Sequence, residues 1–282
     1  MTTATTESFE LSESDFRKIS KLVYEHCGIN LHDGKKELVR ARLAKRIRQG
    51  GFPAFSDYMR HVMQDQTGRE FSILIDSLST NFTSFFRERQ HFDYLSDVFL
   101  PPLLEKKQSR RDFRLRVWSA GCSSGEEPYS LAITLLESIE AKGKWDLKIL
   151  ATDISTRMLK TAKEGLYPAE RVAPVSKYLA NKYLIKNNTQ EGKLYQANDR
   201  LKNVIIFRYL NLMEPWPVQG PVDCIFCRNV MIYFDKPTQE RLVNKYWEVL
   251  SPGGLLFTGH SESLTGITHK FKYVQPTIYS KP

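Results

Sequence analysis

From residue 113 onward the chain alternates between two periodicities, and that alternation restricts the fold more than any other feature. FRLRVWS reads as a strand, EEPYSLAITLLESIEA as a helix, WDLKILATD as a strand and STRMLKTAKEG as a helix. Later, VDCIFCRNVMIYF reads as a strand running into a loop, TQERLVNKYWEVL as a helix and GGLLFTGHSE as a strand. Alternation of this kind predicts an α/β fold with a parallel sheet covered by helices on both faces. Residues 183–209 break the rhythm with short alternating segments and turn residues such as Asn187-Asn188 and Glu191-Gly192, which predicts a small antiparallel β insertion.

The first ~80 residues follow a different rule. LSESDFRKISKLVYEHCG places Phe16, Ile19, Leu22 and Val23 at helical spacing and closes on Gly28. Asp33 is placed to cap a second helix, KKELVRARLAKRIRQ, that Gly50-Gly51 ends, and AFSDYMRHVMQD and GREFSILIDSLS supply two more. At 282 residues the chain has room for two domains, expected as an all-α domain over 1–82 and the α/β domain over 83–282.

Composition removes several function classes. No run of 18 apolar residues offers a membrane span, and the polar, acidic start MTTATTESFELSESD lacks the basic stub and apolar stretch of a secretory signal, so the expected location is cytoplasmic, with no direct membrane insertion. Cys27, Cys122, Cys224 and Cys227 are too few and too scattered for a disulfide framework. Cys224 and Cys227 form a C-x-x-C, but on a strand positions i and i+3 face opposite ways, so no metal site is expected there.

The formal charge of +9 arises from 41 basic and 32 acidic residues. In residues 1–80 the balance is only +1, yet seven bases against one acid, Glu37, fall between 35 and 48. Val39, Leu43 and Ile47 make a narrow apolar stripe on that helix, leaving Arg42, Lys45 and Arg48 on the other side. A solvated basic face and a docking face for an acidic partner are both open at this point.

The segment VWSAGCSSGEEPYSLA combines an apolar strand, a turn holding Gly121 and Gly125, and a helix opening, the arrangement that lets a nucleoside ligand approach the backbone. It is not the G-x-G-x-x-G of hydride-transferring enzymes. Glu126 and Glu127 stand where a pyrophosphate needs the helix end free of negative charge. A ligand bearing an ammonium and a sulfonium suits those carboxylates better, although acids at a helix start also complement the macrodipole. Asp153, ending the strand KILATD, is placed to accept from two ribose hydroxyls, or to serve the start of the next helix. Arg228 and Asn229 end a strand at the crevice where open α/β sheets place ligands, and NFTSFFRE sets Asn81, Thr83 and Arg87 beside three phenylalanines at the junction of the two halves.

Taken in order, NFTSFFRE, WSAGCSSGEEPYSLA, ATDIS, YLNL, FCRNVMIYF and LSPGGLLFTGHSE resemble the CheR family of chemotaxis protein methyltransferases over roughly residues 10–280. The resemblance implies a Rossmann-like S-adenosylmethionine-dependent methyltransferase domain behind an all-α domain. It implies a protein-glutamate O-methyltransferase that esterifies glutamates on bacterial chemoreceptors and releases S-adenosylhomocysteine. The family's cofactor contacts match Asn81, Thr83, Arg87, Glu127, Asp153, Asn211, Leu212, Cys227, Arg228 and Asn229. Its basic second helix docks on the receptor's methylated helices, which matches Arg42, Lys45, Arg46 and Arg48 here.

A glutamate with a pKa near ~4.3 is already an anion at neutral pH, so the reaction needs no general base. It needs the carboxylate oxygen held roughly 3 Å from the methyl carbon, in line with the departing sulfur. Arg87 and Tyr233 are the candidates for orienting that oxygen. Some family members bind a receptor's C-terminal peptide on a glycine-bearing loop of the insertion; KNNTQEGK keeps Glu191-Gly192 but is poorer in glycine upstream, so that contact stays open. A nucleic-acid substrate finds little beyond the positive charge, because an Asn-Pro-Pro-aromatic run for an extruded base is missing where FCRNVMIY stands. A non-catalytic scaffold is the alternative of a different class.

Overall fold

The computed structural model describes residues 10–189, 192–218 and 220–282. The chain divides into two units: residues through Thr80 together with Tyr233–Asp235, and Asn81–Ile232 together with Lys236–Pro282.

The first unit is helical. Ser12 caps α1 (Glu13–Cys27) by accepting from the Asp15 N–H at 3.0 Å, and Gly28 ends it in the left-handed region. Phe16, Ile19 and Val23 are buried along its inner face, with Leu22 half-buried at the margin. Asp33 does not cap the second helix: a 3-10 turn over Asp33–Lys35 comes first, and α2 (Lys36–Gly50) begins without a side-chain cap. The stripe Val39, Leu43 and Ile47 is fully buried, and Gly51 closes the helix at φ 68°. With α4 (Arg69–Leu78) packed against α2, and α3 (Phe55–Gln64) against α4 and α1, the apolar stripe finds its cover within these four helices. Tyr233–Asp235 joins this unit: Ile29 and Phe234 form an antiparallel bridge, the Asn30 N–H donates to the Tyr233 carbonyl at 2.8 Å, and the Tyr24 hydroxyl donates to Asp235 at 2.8 Å.

The second unit opens with α5 (Gln90–Tyr94), a π turn over Leu95–Phe99 and α6 (Leu100–Ser109). Then follow β1 (Arg114–Ala120), α7 (Glu126–Ile139), β2 (Asp146–Asp153) and α8 (Thr156–Glu164). Next come β3 (Leu166–Pro168), the short helices α9 (Ala169–Val172) and α10 (Lys177–Tyr183), β4 (Leu184–Thr189), β5 (Gly192–Ala197) and α11 (Asp199–Lys202). The chain ends with β6 (Ile205–Tyr209), β7 (Val222–Cys227), α12 (Lys236–Val249), β8 (Leu250–Thr258), β9 (Lys272–Gln275) and β10 (Ile278–Ser280).

Seven strands form one sheet in the order β6-β2-β1-β7-β8-β10-β9. The first five run parallel, and β10 and β9 close the edge antiparallel. Strand order reverses between β1 and β7, and the crevice outside the carboxyl ends of the strands at such a point is where open α/β sheets bind ligands. All six residues of β7 are buried, as expected of a central parallel strand covered on both faces, and Phe226 stacks on Phe257 of β8 at 4.2 Å. Cys224 and Cys227 are buried free thiols within β7.

The small antiparallel sheet differs from the 183–209 segment in its limits. Its order is β3-β5-β4, so it recruits Leu166–Pro168, and β6 instead pairs in parallel with β2 at the edge of the large sheet. The alternation of β6 misled: Ile205 and Phe207 are buried while Ile206, Arg208 and Tyr209 are not, because an edge strand keeps one face partly open. In the β4–β5 connection, Gln190 and Glu191 lie outside the described residues.

Candidate functional site

The carboxyl ends of β1, β2 and β7 converge with the segments after β6 and before α5. After β1 the chain turns through Gly121 (φ 88°), Ser123 (φ 48°) and Gly125 (φ 99°). These glycines are required by the protein's own packing more than by ligand approach. A Cβ on Gly121 would stand 2.3 Å from Val230 Cγ2, and one on Gly125 would stand 2.9 Å from the Ala162 Cβ.

Asp153 ends β2 and is buried. Its Oδ2 accepts from the Ser123 N–H at 2.7 Å and its Oδ1 from the Ser155 N–H at 2.8 Å, so it fixes the glycine turn to the end of β2. It is not the cap of α8; Ser155 is, accepting from the Met158 N–H.

The two glutamates that open α7 have different fates. Glu126 is fully buried and committed to the protein: it accepts from Ser124 Oγ at 2.7 Å and from Arg171 Nη1 at 2.7 Å. Glu127 accepts from Ser119 Oγ at 2.7 Å and lies 3.6 Å from Arg228 Nη1. Burial pushes the Glu127 carboxyl up to about 7, against the opposing pull of Arg228 and the Ser119 hydrogen bond.

Arg228, just past β7, is a buried guanidinium flanked by Glu127 and by Glu88 Oε2 at 3.3 Å. It donates to the Arg87 carbonyl and lies over the rings of Phe92 and Phe226. Its Nε and Nη1 are buried with no hydrogen-bond acceptor among the described residues. A buried donor of that kind is costly unless a ligand oxygen meets it, and a carboxylate is the natural complement. A ligand's ammonium is complementary to Glu127 and its carboxylate to Arg228.

Asn81 accepts through its carbonyl from Ser123 Oγ at 2.9 Å, tying NFTSFFRE to the glycine turn. Thr83 is half-buried in the same segment. Arg87 donates from Nη1 to the Phe82 carbonyl at 2.9 Å and stacks over the Phe82 ring at 5.5 Å. Asn211 spends its side chain on the turn after β6, accepting from the Met213 N–H and donating to Glu214. Leu212 is buried, and its carbonyl accepts from Trp216 Nε1 and Lys245 Nζ. Cys227 is fully buried, with its thiol pushed well up by burial. Asn229 sits at φ 59° and donates from Nδ2 to Glu88 Oε1 at 3.4 Å.

Among the described residues, six non-glycine residues have positive φ, and five of them, Phe86, Glu88, Ser123, Asn229 and Thr277, lie in or beside this constellation. Strain of this kind persists where surrounding contacts over-determine it, often at functional sites. Glu88 and His91 were outside the residues singled out from sequence. His91 is buried, 2.7 Å from Thr277 Oγ1 through Nε2 and 3.5 Å from Glu88 Oε2 through Nδ1. Burial, reinforced by Arg228, lowers its pKa to about 3 and keeps it neutral. Glu88, His91 and His260 bring three possible ligand atoms within 4.8 Å, but the Arg228 guanidinium beside Glu88 already supplies positive charge and repels a cation there.

Within the helical unit, the four basic residues of α2 divide. Arg42 donates to the Leu78 carbonyl and to Thr80 Oγ1, and Arg46 forks onto Glu70 with both bonds at 2.7 Å. Lys45 and Arg48 are exposed, Arg48 donating to the Ala44 carbonyl within its own helix at 3.2 Å. The outward face read over Arg42, Lys45 and Arg48 loses Arg42, because α4 packs against the side that carries Arg42 and Arg46. Tyr233 falls in this unit, its hydroxyl 3.4 Å from the Thr80 carbonyl.

Comparison with known proteins gives two family matches. Residues 81–280 match the CheR methyltransferase SAM-binding domain, and residues 14–79 match the CheR methyltransferase all-alpha domain. The chain is 41% identical over 276 residues to the chemotaxis protein methyltransferase of Borreliella burgdorferi, covering 97% of this chain and 96% of that one. It is 39% identical over 277 residues to chemotaxis protein methyltransferase 2 of Pseudomonas aeruginosa, covering 97% and 95%. The Escherichia coli chemotaxis protein methyltransferase is 39% identical over 277 residues, covering 98% and 93%.

Proposed function

The chain belongs to the CheR methyltransferase family, and from that premise we propose that it esterifies glutamate side chains on the cytoplasmic helices of chemoreceptors. The observation that carries the reading is the buried pair Glu127 and Arg228 at the switch point of the sheet, beside the glycine turn that Asp153 secures. S-adenosylmethionine supplies a methyl group already activated as a sulfonium.

Every other part of the reaction is positional. Glu127 would receive the ligand's ammonium and Arg228 its carboxylate, with Asp153, at the end of β2, assigned to the ribose hydroxyls. Thr83 and the Cys227–Asn229 turn complete the wall. The substrate glutamate arrives as an anion, so the enzyme orients a nucleophile instead of creating one. Arg87 is assigned that orienting role. A tight ion pair would stabilise the ground-state charge that the reaction consumes, and the hold of Arg87 on the Phe82 carbonyl and ring argues for a directed, shared contact. Tyr233 is the second orienting group, to be tested as Tyr233→Phe. On α2, Lys45 and Arg48 are the charges available to acidic receptor helices, and the protein acts in the cytoplasm, where those helices lie.

The reaction is tested with methyl-labelled S-adenosylmethionine and a chemoreceptor cytoplasmic fragment. Label that mild base releases as methanol identifies a carboxyl ester. Label that resists base identifies transfer to nitrogen and overturns the reading.

A further inference from the structure

Glu262 lies on the loop after β8, almost wholly buried, at the end of the last segment that carries the family resemblance. Its partners are backbone amides. Oε2 accepts from the Gly259 N–H at 2.6 Å and the Asn229 N–H at 2.9 Å, and Oε1 accepts from the Ile232 N–H at 3.1 Å. One carboxylate thus joins the segment after β8 to the turn after β7, the neighbouring parallel strand.

That turn holds an unusual conformation at the residue that matters. Asn229 is left-handed without being glycine, and it follows Arg228 directly. The two segments approach so closely that a Cβ on Gly259 would stand 2.5 Å from Asn229 Nδ2 and 2.8 Å from its backbone nitrogen. Three backbone amides from two segments, those of Asn229, Ile232 and Gly259, converge on this one carboxylate. The Glu262 backbone is held in turn: its N–H donates to the Gly259 carbonyl at 2.8 Å, and its carbonyl accepts from Thr258 Oγ1 at 3.1 Å.

We propose that Glu262 is a positioning residue of the cofactor site: its carboxylate holds the Arg228–Asn229 turn so that Arg228 stays between Glu127 and Glu88. The inference rests on the reading that Glu127 and Arg228 hold the cofactor. Without the carboxylate, three amides compete for other acceptors, Asn229 relaxes towards a commoner backbone conformation, and the guanidinium leaves its place.

The test measures S-adenosylhomocysteine affinity by calorimetry for the wild type, Glu262→Gln, Arg228→Met and the double variant, well below each melting temperature. Glutamine preserves size but presents an amide N–H to amides that need an acceptor. Glu262→Gln is expected to weaken binding by at least about tenfold, the equivalent of one charge-assisted hydrogen bond. The loss is expected to vanish in the Arg228→Met background, because both substitutions then remove the same contact. Effects that multiply instead indicate general loosening of the fold and overturn the proposal. Unchanged affinity in Glu262→Gln, with weakened binding in Arg228→Met, overturns the role of Glu262 and leaves the cofactor reading intact. Unchanged affinity in Arg228→Met refutes the cofactor reading, and the proposal with it.

Discussion

Replacing Glu127 by glutamine separates two consequences of one buried carboxylate. Burial raises its carboxyl to about 7, whereas a glutamate in an unfolded chain titrates near about 4.3. Because the folded-state pKa is the higher one, the group favours the folded state only while protonated. The wild type loses stability as pH rises from about 4.3 to about 7, after which the loss is complete. That rise corresponds to a few kcal/mol, on the order of 1.4 kcal/mol for each tenfold change in proton affinity. Glu127→Gln removes that titration, so without ligand it should match the wild type near pH 4 and exceed it by up to that amount at pH 8. Binding runs the other way, because only the ionised carboxylate attracts the ligand's ammonium. With a pKa of about 7, about one-eleventh of Glu127 is ionised at pH 6 and about ten-elevenths at pH 8. The ratio of the S-adenosylhomocysteine Kd of Glu127→Gln to that of the wild type should therefore rise about tenfold across this range. Taking the ratio cancels the ligand's own titration. Urea unfolding and calorimetric titration at each pH supply both curves. A stability difference that is constant with pH, together with a flat Kd ratio, would refute the assignment of this carboxylate.

The basic residues of α2 should separate by role: Arg46→Ala, which strands Glu70, is expected to cost about 1–3 kcal/mol by urea unfolding. Lys45→Ala and Arg48→Ala should stay within about 0.5 kcal/mol in that assay, yet weaken binding to an acidic receptor fragment in a salt-dependent way. Gly125→Ala combines φ 99° with a Cβ 2.8 Å from the Tyr167 hydroxyl, so its unfolding free energy should fall by more than about 1 kcal/mol. Arg87→Ala should lower kcat for methyl transfer by about a hundredfold, while cofactor Kd changes far less; unchanged turnover removes Arg87 from the mechanism.

The periodicities were enough to read the parallel sheet, because a strand buried on both faces and an amphipathic helix leave different signatures over a few residues. The edge strand β6 was harder to place. Its alternation matches that of an antiparallel strand, and only pairing with β2, over fifty residues away in sequence, assigns it to the large sheet. Side-chain loyalties were less legible still. Glu126 and Glu127 are adjacent and chemically identical, and only the arrival of Arg171 at one and Arg228 at the other distinguishes them. Arg42 and Arg46 read as surface charge because helical spacing says nothing about which neighbour packs alongside. Glu88 and Glu262 close two of the segments that carry the family resemblance, but nothing local in the sequence assigns either a partner, and His91 stands outside those segments. Their roles arise from contacts across the sheet unit to a single turn after β7, and strain at Asn229 and Thr277 appears only once backbone angles are known.

The central claim is that the acceptor is a glutamate side chain of a chemoreceptor. Mass spectrometry of receptors isolated from cells with and without this protein tests it directly. The account predicts base-labile methyl esters on glutamates of the cytoplasmic helices, present with the wild type and lost with Arg228→Met. Receptors whose methylation is the same in both cells would contradict it.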